Sequence, residues 1–411
     1  MEGFILLLFL TAFIPVTRAI NWPPLSAFIA PPGVPLLAQE YDGFELRWKR
    51  LVFRPAEFRK EGILFAFLIL YLINYFIGKR TNSNRAYAWI NAHTALYASQ
   101  FSTPFSANEV VADGPTDLFG FSTGRRSVHY LHTVFTLKPR HDLFQLAYSF
   151  IRGLIELDFE PKDDITLDFK LRYDAAKGPG FVWAAVNKNH LKKLREDRWD
   201  LGVFTKTTDA IRVHPTVQIM TETADINQSV LTSGAVPSLL ESLKNADALQ
   251  DFKSLIVTDQ LPFKPDTYDA KQPLPSLLTR VRHVQLTFKA PPTSRVTAAD
   301  PIIRAAFELV DALGQLYGAI ALPPNHPARS AVLQAETYKK LRNTRKEWDE
   351  RLEKERTAEK LAELEENKRA EKKRLEDARI SKLSATEQQR LLEKERKRAL
   401  RRTAGKTTVK K

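Results

Sequence analysis

The chain has 411 residues, which is enough for about two or three domains. It contains no cysteine, so a disulfide framework, a thiolate metal site and a cysteine nucleophile are excluded. The formal charge is +14, but residues 337–411 hold 26 basic and 15 acidic side chains, a net of +11, so the rest of the chain carries only +3.

The N-terminus is predicted to be a signal peptide that covers residues 1–19. Residues 4–14 form an apolar run too short to cross a bilayer, and small residues precede a cleavage position after Ala19. The alternative is a buried N-terminal strand. Residues 20–61 contain several prolines and show no clear periodicity, so we predict that they form a short lumenal segment.

Residues 62–78 are predicted to form one transmembrane helix. This run, GILFAFLILYLINYFIG, contains no charged residue and has Lys or Arg on both sides. At about 1.5 Å per residue it spans roughly 25 Å, a little less than a typical hydrocarbon core of about 30 Å. Snorkelling of the flanking basic side chains or a thin bilayer closes the difference. The alternative is a buried core helix, although such helices rarely lack a polar face over four or more turns.

Two signals disagree about the orientation of this helix. A cleaved signal peptide predicts a lumenal N-terminus and a cytosolic C-terminus. The positive-inside rule favours the reverse, because residues 47–61 hold six basic side chains and residues 79–94 hold three. We give the signal peptide more weight, because a translocated N-terminus leaves a single downstream span only one orientation.

Residues 79–322 are predicted to form a cytosolic α+β domain with a modest, mainly antiparallel sheet. Its clearest strand is 165–173, in which apolar and polar residues alternate, and the turn at 177–180 predicts 181–186 as its hairpin partner. Residues 102–124 are rich in Ser, Pro and Gly and are predicted to be a loop. The other predicted strands are 128–137, 255–257 and 284–288, and the predicted helices are 84–101, 143–157, 190–199, one beginning at Pro237, and 301–320.

A proline-rich hinge at residues 323–328 precedes a charged helical tail, residues 329–411. Glu-to-Lys and Glu-to-Arg pairs four residues apart support a solvated helix over about 329–380. Its leucines do not follow a heptad, so we favour a single helix over a coiled-coil dimer. Ser384 and Glu387 match a capping box, which predicts a second helix after a break near Ser381.

No motif in the sequence indicates catalysis. Residues 120–124 match the G-x-S-x-G pattern, but a loop-like stretch precedes them and a strand-like stretch follows, where a nucleophile elbow needs a strand and then a helix. His129 and His132 would point to opposite faces of a strand. We therefore predict a protein that is not an enzyme, with no cofactor and no metal site.

The basic end of the tail is predicted to bind a polyanion. Residues 382–411 hold 11 basic and 3 acidic side chains, which suits salt-sensitive contacts with the phosphates of ribosomal RNA. Anionic lipid and a solvated tail without a fixed partner are the alternatives. The candidate ribosome-binding residues are Arg390, Lys394, Arg396, Lys397, Arg398, Arg401, Arg402, Lys406, Lys410 and Lys411.

Two stretches carry a likeness to a known family. They are Leu72-Ile-Asn74-Tyr75-Phe-Ile-Gly78-Lys79, followed by Asn82-Ser83, Ala88-Trp89 and Asn91-Ala-His93, and then Thr258-Asp259-Gln260 with Leu286-Thr-Phe288-Lys-Ala-Pro291. Both resemble the calumin family, the coiled-coil subunit of the PAT complex. The resemblance covers most of residues 62–411 and includes the order of signal peptide, span, α+β domain and charged tail.

That resemblance implies a single-pass endoplasmic reticulum protein working beside the protein-conducting channel and the ribosome. It also implies a small membrane partner (Asterix), membrane protein clients and a role in inserting and folding multipass proteins. Calcium binding is not carried over, because residues 20–61 lack the family's long acidic run.

Asn74 is the only strongly polar residue of the span, so we predict that it and Tyr75 contact the membrane partner, with an interfacial position as the alternative for Asn74. The resulting hypothesis is a non-enzymatic membrane adaptor and chaperone subunit. The alternative is a tether whose basic tail binds anionic lipid.

Overall fold

The computed structural model describes residues 43–48, 51–55, 58–156, 159–172, 180–209, 212–231, 236–264, 280–316, 333 and 335–381. They form two compact units. The first contains the described residues up to Ile77 together with His141–Leu143, and the second contains Gly78–Arg140 and the described residues from Phe144 onward. The predicted signal peptide, the hinge at 323–328, the second tail helix and all the basic residues from Arg390 to Lys411 lie outside the described residues.

The first unit contains a short hairpin and the start of a long helix. Strand β1 (Leu46–Trp48) pairs antiparallel with β2 (Leu51–Phe53), and helix α1 (Arg59–Gln100) begins six residues later. The predicted span at 62–78 and the predicted helix at 84–101 are both helical, and they lie within one continuous helix, α1. Residues 79–83 contain neither glycine nor proline, so nothing in the backbone chemistry ends the helix there.

The described strands of the second unit form one antiparallel sheet of nine strands in the order β3-β4-β5-β6-β11-β10-β7-β9-β8. The sheet is therefore larger than the modest one predicted. Its strands are β3 (Val111–Asp113), β4 (Asp117–Ser122), β5 (Val128–Thr136), β6 (Asp164–Leu171), β7 (Trp183–Asn187), β8 (Lys206–Thr208), β9 (Val217–Thr221), β10 (Phe252–Thr258) and β11 (His283–Lys289).

Helices lie before, between and after these strands. The described ones after α1 are α2 (Leu143–Ile155), α3 (Leu191–Asp197), α4 (Trp199–Phe204), α5 (Ala224–Leu231), α6 (Pro237–Ser242), α7 (Ala246–Leu249), α8 (Asp300–Leu316) and α9 (Ala335–Ser381), with 3-10 turns at Ala107–Glu109, Lys188–His190 and Thr293–Ala299.

A core lies on each face of the sheet. The alternation predicted for β6 is present, because every second side chain from Ile165 to Leu171 is buried. These buried side chains of β6 belong to the larger of the two cores, which also includes Trp89 of α1 and Phe307 of α8. The smaller core lies around Ile256 on the other face and includes Leu201 and Phe204 of α4, with Trp348 of α9 packed against it.

Two predictions about the sheet were wrong. The predicted loop at 102–124 contains the strands β3 and β4. The predicted hairpin does not form either, because β6 pairs with β5 and β11, while β7 pairs with β10 and β9. The neighbours of β6 and β7 are set by pairing between strands distant in the chain, which the turn signal at 177–180 could not reveal.

Candidate functional site

The N-terminal part of α1 has the surface of a membrane span. Among the described residues, α1 is the one helix long and apolar enough to cross a membrane. Eleven large apolar side chains from Ile63 to Ile77 are 42% to 65% exposed, and residues 62–78 contain no charge. Within the described residues, this exposure favours a membrane span over the buried core helix considered above. An apolar surface of this size around a helix fits lipid and does not fit water.

Asn74 and Tyr75 both face His141 within the first unit. The Asn74 side-chain amide donates to the His141 carbonyl oxygen at 3.2 Å, and the Tyr75 ring meets the His141 ring edge to face at 5.6 Å between centroids. The far end of the apolar run is therefore tied to the segment 141–143. Contact of these two residues with a membrane partner stays a prediction.

The second unit holds a buried charge cluster that the sequence did not reveal. The guanidinium of Arg345 in α9 is fully buried and donates to both carboxylate oxygens of Asp259, at 3.2 and 2.9 Å. It also donates to both carboxylate oxygens of Glu222, at 2.5 and 2.9 Å. One arginine thus makes four charge-assisted hydrogen bonds, and its planar fork suits two carboxylates.

The sheet brings the two carboxylates together. Asp259 directly follows β10 and Glu222 directly follows β9, and only β7 separates these strands. Gly180 is required beside them, because an added Cβ would lie 2.4 Å from the Cβ of Asp259. The Val182 amide also donates to Glu222 at 3.2 Å. The ends of β9 and β10 therefore place two carboxylates around the guanidinium of Arg345.

The carboxylates differ in their proton affinity. Burial works most strongly against ionisation of Asp259, but the charge and hydrogen bonds of Arg345 outweigh it, so the pKa of Asp259 lies below its usual range. For Glu222 burial prevails, aided by the nearby Asp259, and its pKa is raised despite Arg345. The two carboxylates hold the pKa of Arg345 above its ordinary value, against the effect of burial. Arg345 is therefore always charged.

Aromatic residues complete the contact with α9. The Arg345 guanidinium lies 4.8 Å from the centre of the Phe204 ring, a cation–π distance, and Trp348 meets Phe204 and Trp199 at 5.8 and 6.1 Å. We call Glu222, Asp259, Phe204 and Trp199 the α9 seat. Arg280, which hydrogen-bonds Gln260 at 3.2 Å and pairs with Asp349, ties the helix to the same loop.

The docked face of α9 is a stripe with helical spacing. Leu341, Arg345, Trp348 and Leu352 follow at intervals of four, three and four residues, and Leu341 and Leu352 are buried. In the described part of α9, the leucines after Leu352 are exposed, for example Leu361 at 63%. Arg345 lies within the helix that was predicted to be solvated, but it belongs to this docked stripe and is buried.

Three of the residues that carried the resemblance, Asn82, Trp89 and His93, make contacts within the second unit. Trp89 packs on Phe288 at 5.8 Å between ring centres, and the buried His93 lies 2.8 Å from the Trp89 carbonyl oxygen. Burial lowers the pKa of His93 although that carbonyl raises it. The amide of Asn82 donates to two backbone carbonyls at 2.9 and 3.0 Å and accepts from Arg140 at 2.9 Å. These residues hold α1 on the sheet.

The motifs discounted above lie on antiparallel strands. Ser122 is buried in β4 and accepts a hydrogen bond from the Phe105 amide at 2.9 Å, and the strand β5 follows it where a nucleophile elbow needs a helix. His129 is exposed, whereas His132 stacks on Phe121 at 4.4 Å. Within the described part of the chain, no group of three or more His, Asp or Glu residues is arranged to hold a metal ion.

Comparison with known proteins gives one consistent result. The sequence model of the family described as PAT complex subunit CCDC47 matches residues 57–402. A UPF0674 endoplasmic reticulum membrane protein of Schizosaccharomyces pombe is 26% identical over 361 residues, which is 85% of this chain and 87% of the relative. PAT complex subunit CCDC47 of Danio rerio is 22% identical over 258 residues, 58% of this chain and 49% of the relative. An uncharacterized protein of Arabidopsis thaliana is 26% identical over 48% of this chain and 42% of the relative.

Proposed function

The chain belongs to the CCDC47 family of PAT complex subunits and is an endoplasmic reticulum membrane protein, and we propose that it is a non-enzymatic adaptor there. In this proposal it associates with the protein-conducting channel and the ribosome and assists the insertion and folding of multipass membrane proteins. No enzyme family is indicated by any of these similarities. Its own partners would be a small membrane subunit resembling Asterix, the channel, ribosomal RNA, its clients and the bilayer.

The observation that supports an adaptor is the fixed attachment of α9. The α9 seat binds the buried Arg345 of the helix. After Leu352, a further 29 residues of α9 extend to Ser381. At 1.5 Å per residue they extend about 44 Å. A helix held this firmly at one end can present the basic segment that follows it at a defined distance from the domain. That geometry suits a bridge between a membrane-bound complex and a large polyanion.

Ribosome pelleting tests the role of the basic segment. Deletion of residues 382–411 is expected to abolish co-sedimentation with ribosomes and to leave membrane insertion unchanged. Wild-type co-sedimentation should also fall steeply as salt rises, because phosphate contacts release counterions. Unchanged pelleting of the truncated chain would assign the contact to another surface.

A charge-reversal pair provides the matched control. Substitution of five clustered bases by glutamate should match the deletion, whereas the same number of reversals on the exposed part of α9 should retain most binding. The test set is Arg396, Lys397, Arg398, Arg401 and Arg402, and the control set is Lys368, Arg369, Lys372, Lys373 and Arg374.

The alternative function, a tether to anionic lipid, is separated by a second binding assay. The same two sets of reversals are tested with vesicles of phosphatidylcholine alone and with vesicles that also contain phosphatidylserine. If the protein is an adaptor, adding ribosomes should reduce the amount of full chain bound to anionic vesicles. Strong binding to anionic vesicles with no ribosome pelleting would favour the tether.

The membrane partner is tested by substitutions in the span. Asn74→Leu and Tyr75→Leu are expected to reduce co-purification of the small membrane subunit from mild detergent, whereas Ile73→Leu, at an exposed apolar neighbour, should not. Unchanged recovery with all three variants would mean that Asn74 serves only its bond to the His141 carbonyl.

Glycosylation mapping tests the proposed orientation, with a lumenal N-terminus and a cytosolic C-terminus. Asn227 begins an acceptor sequence, but it is half-buried in α5 and accepts from the Trp183 indole at 3.4 Å, so a lack of glycan there would be ambiguous. Lys206→Asn creates an Asn-Thr-Thr acceptor on the exposed edge of β8, and Pro24→Asn creates Asn-Leu-Ser before the span. We expect glycan only with Pro24→Asn, and glycan with Lys206→Asn would reverse the orientation.

A further inference from the structure

Helix α2 presents an apolar face that is exposed in the part of the chain that the structure describes. None of its 13 residues is buried. Phe144, Tyr148, Ile151 and Ile155 follow at intervals of four, three and four residues, so they form one stripe along the helix. Their exposed fractions are 78%, 62%, 55% and 77%. In α8, by contrast, apolar residues such as Ile302 and Ile303 are fully buried.

The rest of the exposed face is also apolar. Phe150 and Leu154 widen the stripe and are 46% and 69% exposed. Apart from the hydroxyl of Tyr148, Gln145 is the one exposed polar side chain of α2. A contiguous apolar surface of this kind on a folded domain marks a surface that is covered by another molecule.

The helix carries no charge excess. Arg152 is the one charged residue within α2, and it pairs with Glu156 just after the helix at 2.9 Å. Electrostatic attraction to an anionic surface therefore contributes little to any membrane binding by this helix. Its aromatic and aliphatic side chains suit the boundary between headgroups and acyl chains, where burial of apolar area provides the affinity.

Length and chain connection decide how the helix can meet a bilayer. Thirteen residues extend about 20 Å, too short to cross a hydrocarbon core of about 30 Å, so the helix can only lie along the surface. It begins two residues after His141, whose carbonyl oxygen accepts from Asn74. Two residues reach at most about 7 Å. Since Asn74 lies four residues before the end of the apolar run, α2 starts near the bilayer boundary.

We propose that α2 is an interfacial helix whose Phe144–Ile155 stripe is buried among lipid acyl chains, on the side of the membrane where the span ends at Lys79. The occupant of the face is lipid. The helix then gives the domain a second attachment to the bilayer besides α1. This requires the membrane span but not the association with channel or ribosome, so it can hold where the proposed function fails.

The chain's lack of cysteine makes a direct test possible. The full chain with the single substitution Tyr148→Cys is labelled with a fluorophore and reconstituted without other proteins into phosphatidylcholine nanodiscs. The control is Leu361→Cys on α9, because its 63% exposure matches the 62% of Tyr148. Quenching is measured with nitroxide lipids labelled near the headgroup or at the chain end, and with aqueous iodide.

The proposal expects the label at Tyr148→Cys to lie about 5–10 Å below the headgroups. The shallow nitroxide should quench it several-fold more than the label at Leu361→Cys, and iodide several-fold less. Neither salt nor added phosphatidylserine should change this result. Iodide quenching equal to that of the control would overturn the proposal. A label protected from both nitroxide and iodide would also overturn it, because protein rather than lipid would then cover the face.

A paired substitution provides a second readout. Phe144→Glu with Ile151→Glu should remove lipid quenching at position 148 and leave thermal unfolding of the domain unchanged, because neither side chain is buried. Leu361→Glu with Leu364→Glu, at exposed leucines of α9, should leave lipid quenching as in the parent. Lipid quenching that persists in the α2 double variant would contradict the proposal.

Discussion

Replacement of Arg345 by methionine removes the charge that both carboxylates of the α9 seat share. Methionine retains an unbranched stem, so the main loss is the four hydrogen bonds to Asp259 and Glu222. Removal of one partner from a buried ion pair costs about 3–5 kcal/mol, because the remaining charge is left uncompensated. We expect the docking of α9 to weaken by about that amount.

Hydrogen exchange of the full chain in nanodiscs measures this loss where it occurs. A loss of 3 kcal/mol or more corresponds to amide exchange in the first turns of α9 that is faster by about two orders of magnitude. The control is Arg369→Met, because Arg369 is 82% exposed and pairs with Glu365 across one helical turn at 3.5 Å. We expect no measurable change in the docked turns with this variant.

A combined variant separates uncompensated charge from lost packing. Adding Glu222→Gln and Asp259→Asn to Arg345→Met removes the stranded carboxylates, so exchange should return most of the way to the wild-type rate. Wild-type exchange in the single variant, or no recovery in the combined one, would refute the view that the buried cluster holds α9.

Three other substitutions test neighbouring parts of the account. Gly180→Ala should destabilise the second unit by about 1–3 kcal/mol in chemical unfolding, because its Cβ would meet Asp259 at 2.4 Å. The pKa of Glu222 is higher in the folded protein than in the unfolded chain. The free energy of unfolding of the wild type therefore falls as pH rises from the lower of these two pKa values to the higher one. Glu222→Gln should remove that fall, and identical pH curves would contradict this. Asn82→Ala should cost about 1–3 kcal/mol, because two carbonyls and Arg140 lose a partner, and an unchanged midpoint would show that water replaces it.

Local patterns predicted the elements whose signal is local. The alternation in β6 and the apolar runs of α1 and α2 were visible in the sequence, and each forms the expected element. The strand β4 was missed because glycine suggested a loop. In the structure Gly120 lies in that strand, where an added Cβ would meet the Phe105 ring at 1.8 Å. The glycine marks a close approach rather than a turn.

Contacts between residues far apart in the chain could not be predicted from the sequence. The family likeness drew attention to Asp259, but nothing nearby in the chain indicated that its partner is Arg345, 86 residues away. In the same way, β7 has its neighbours in β9 and β10, which no turn connects to it directly. Arg345 was counted among the charges of a solvated helix because charge-rich helices are usually solvated. Its position within the stripe from Leu341 to Leu352 becomes informative once that stripe is known to be docked.

The adaptor proposal is tested by affinity purification of the full chain from endoplasmic reticulum membranes in mild detergent, with identification of the co-purifying subunits. We predict recovery of a small membrane subunit, the protein-conducting channel and ribosomes. After deletion of residues 382–411, ribosomes should be absent and the membrane subunit should be retained. Recovery of neither the channel nor ribosomes with the intact chain would contradict the adaptor proposal.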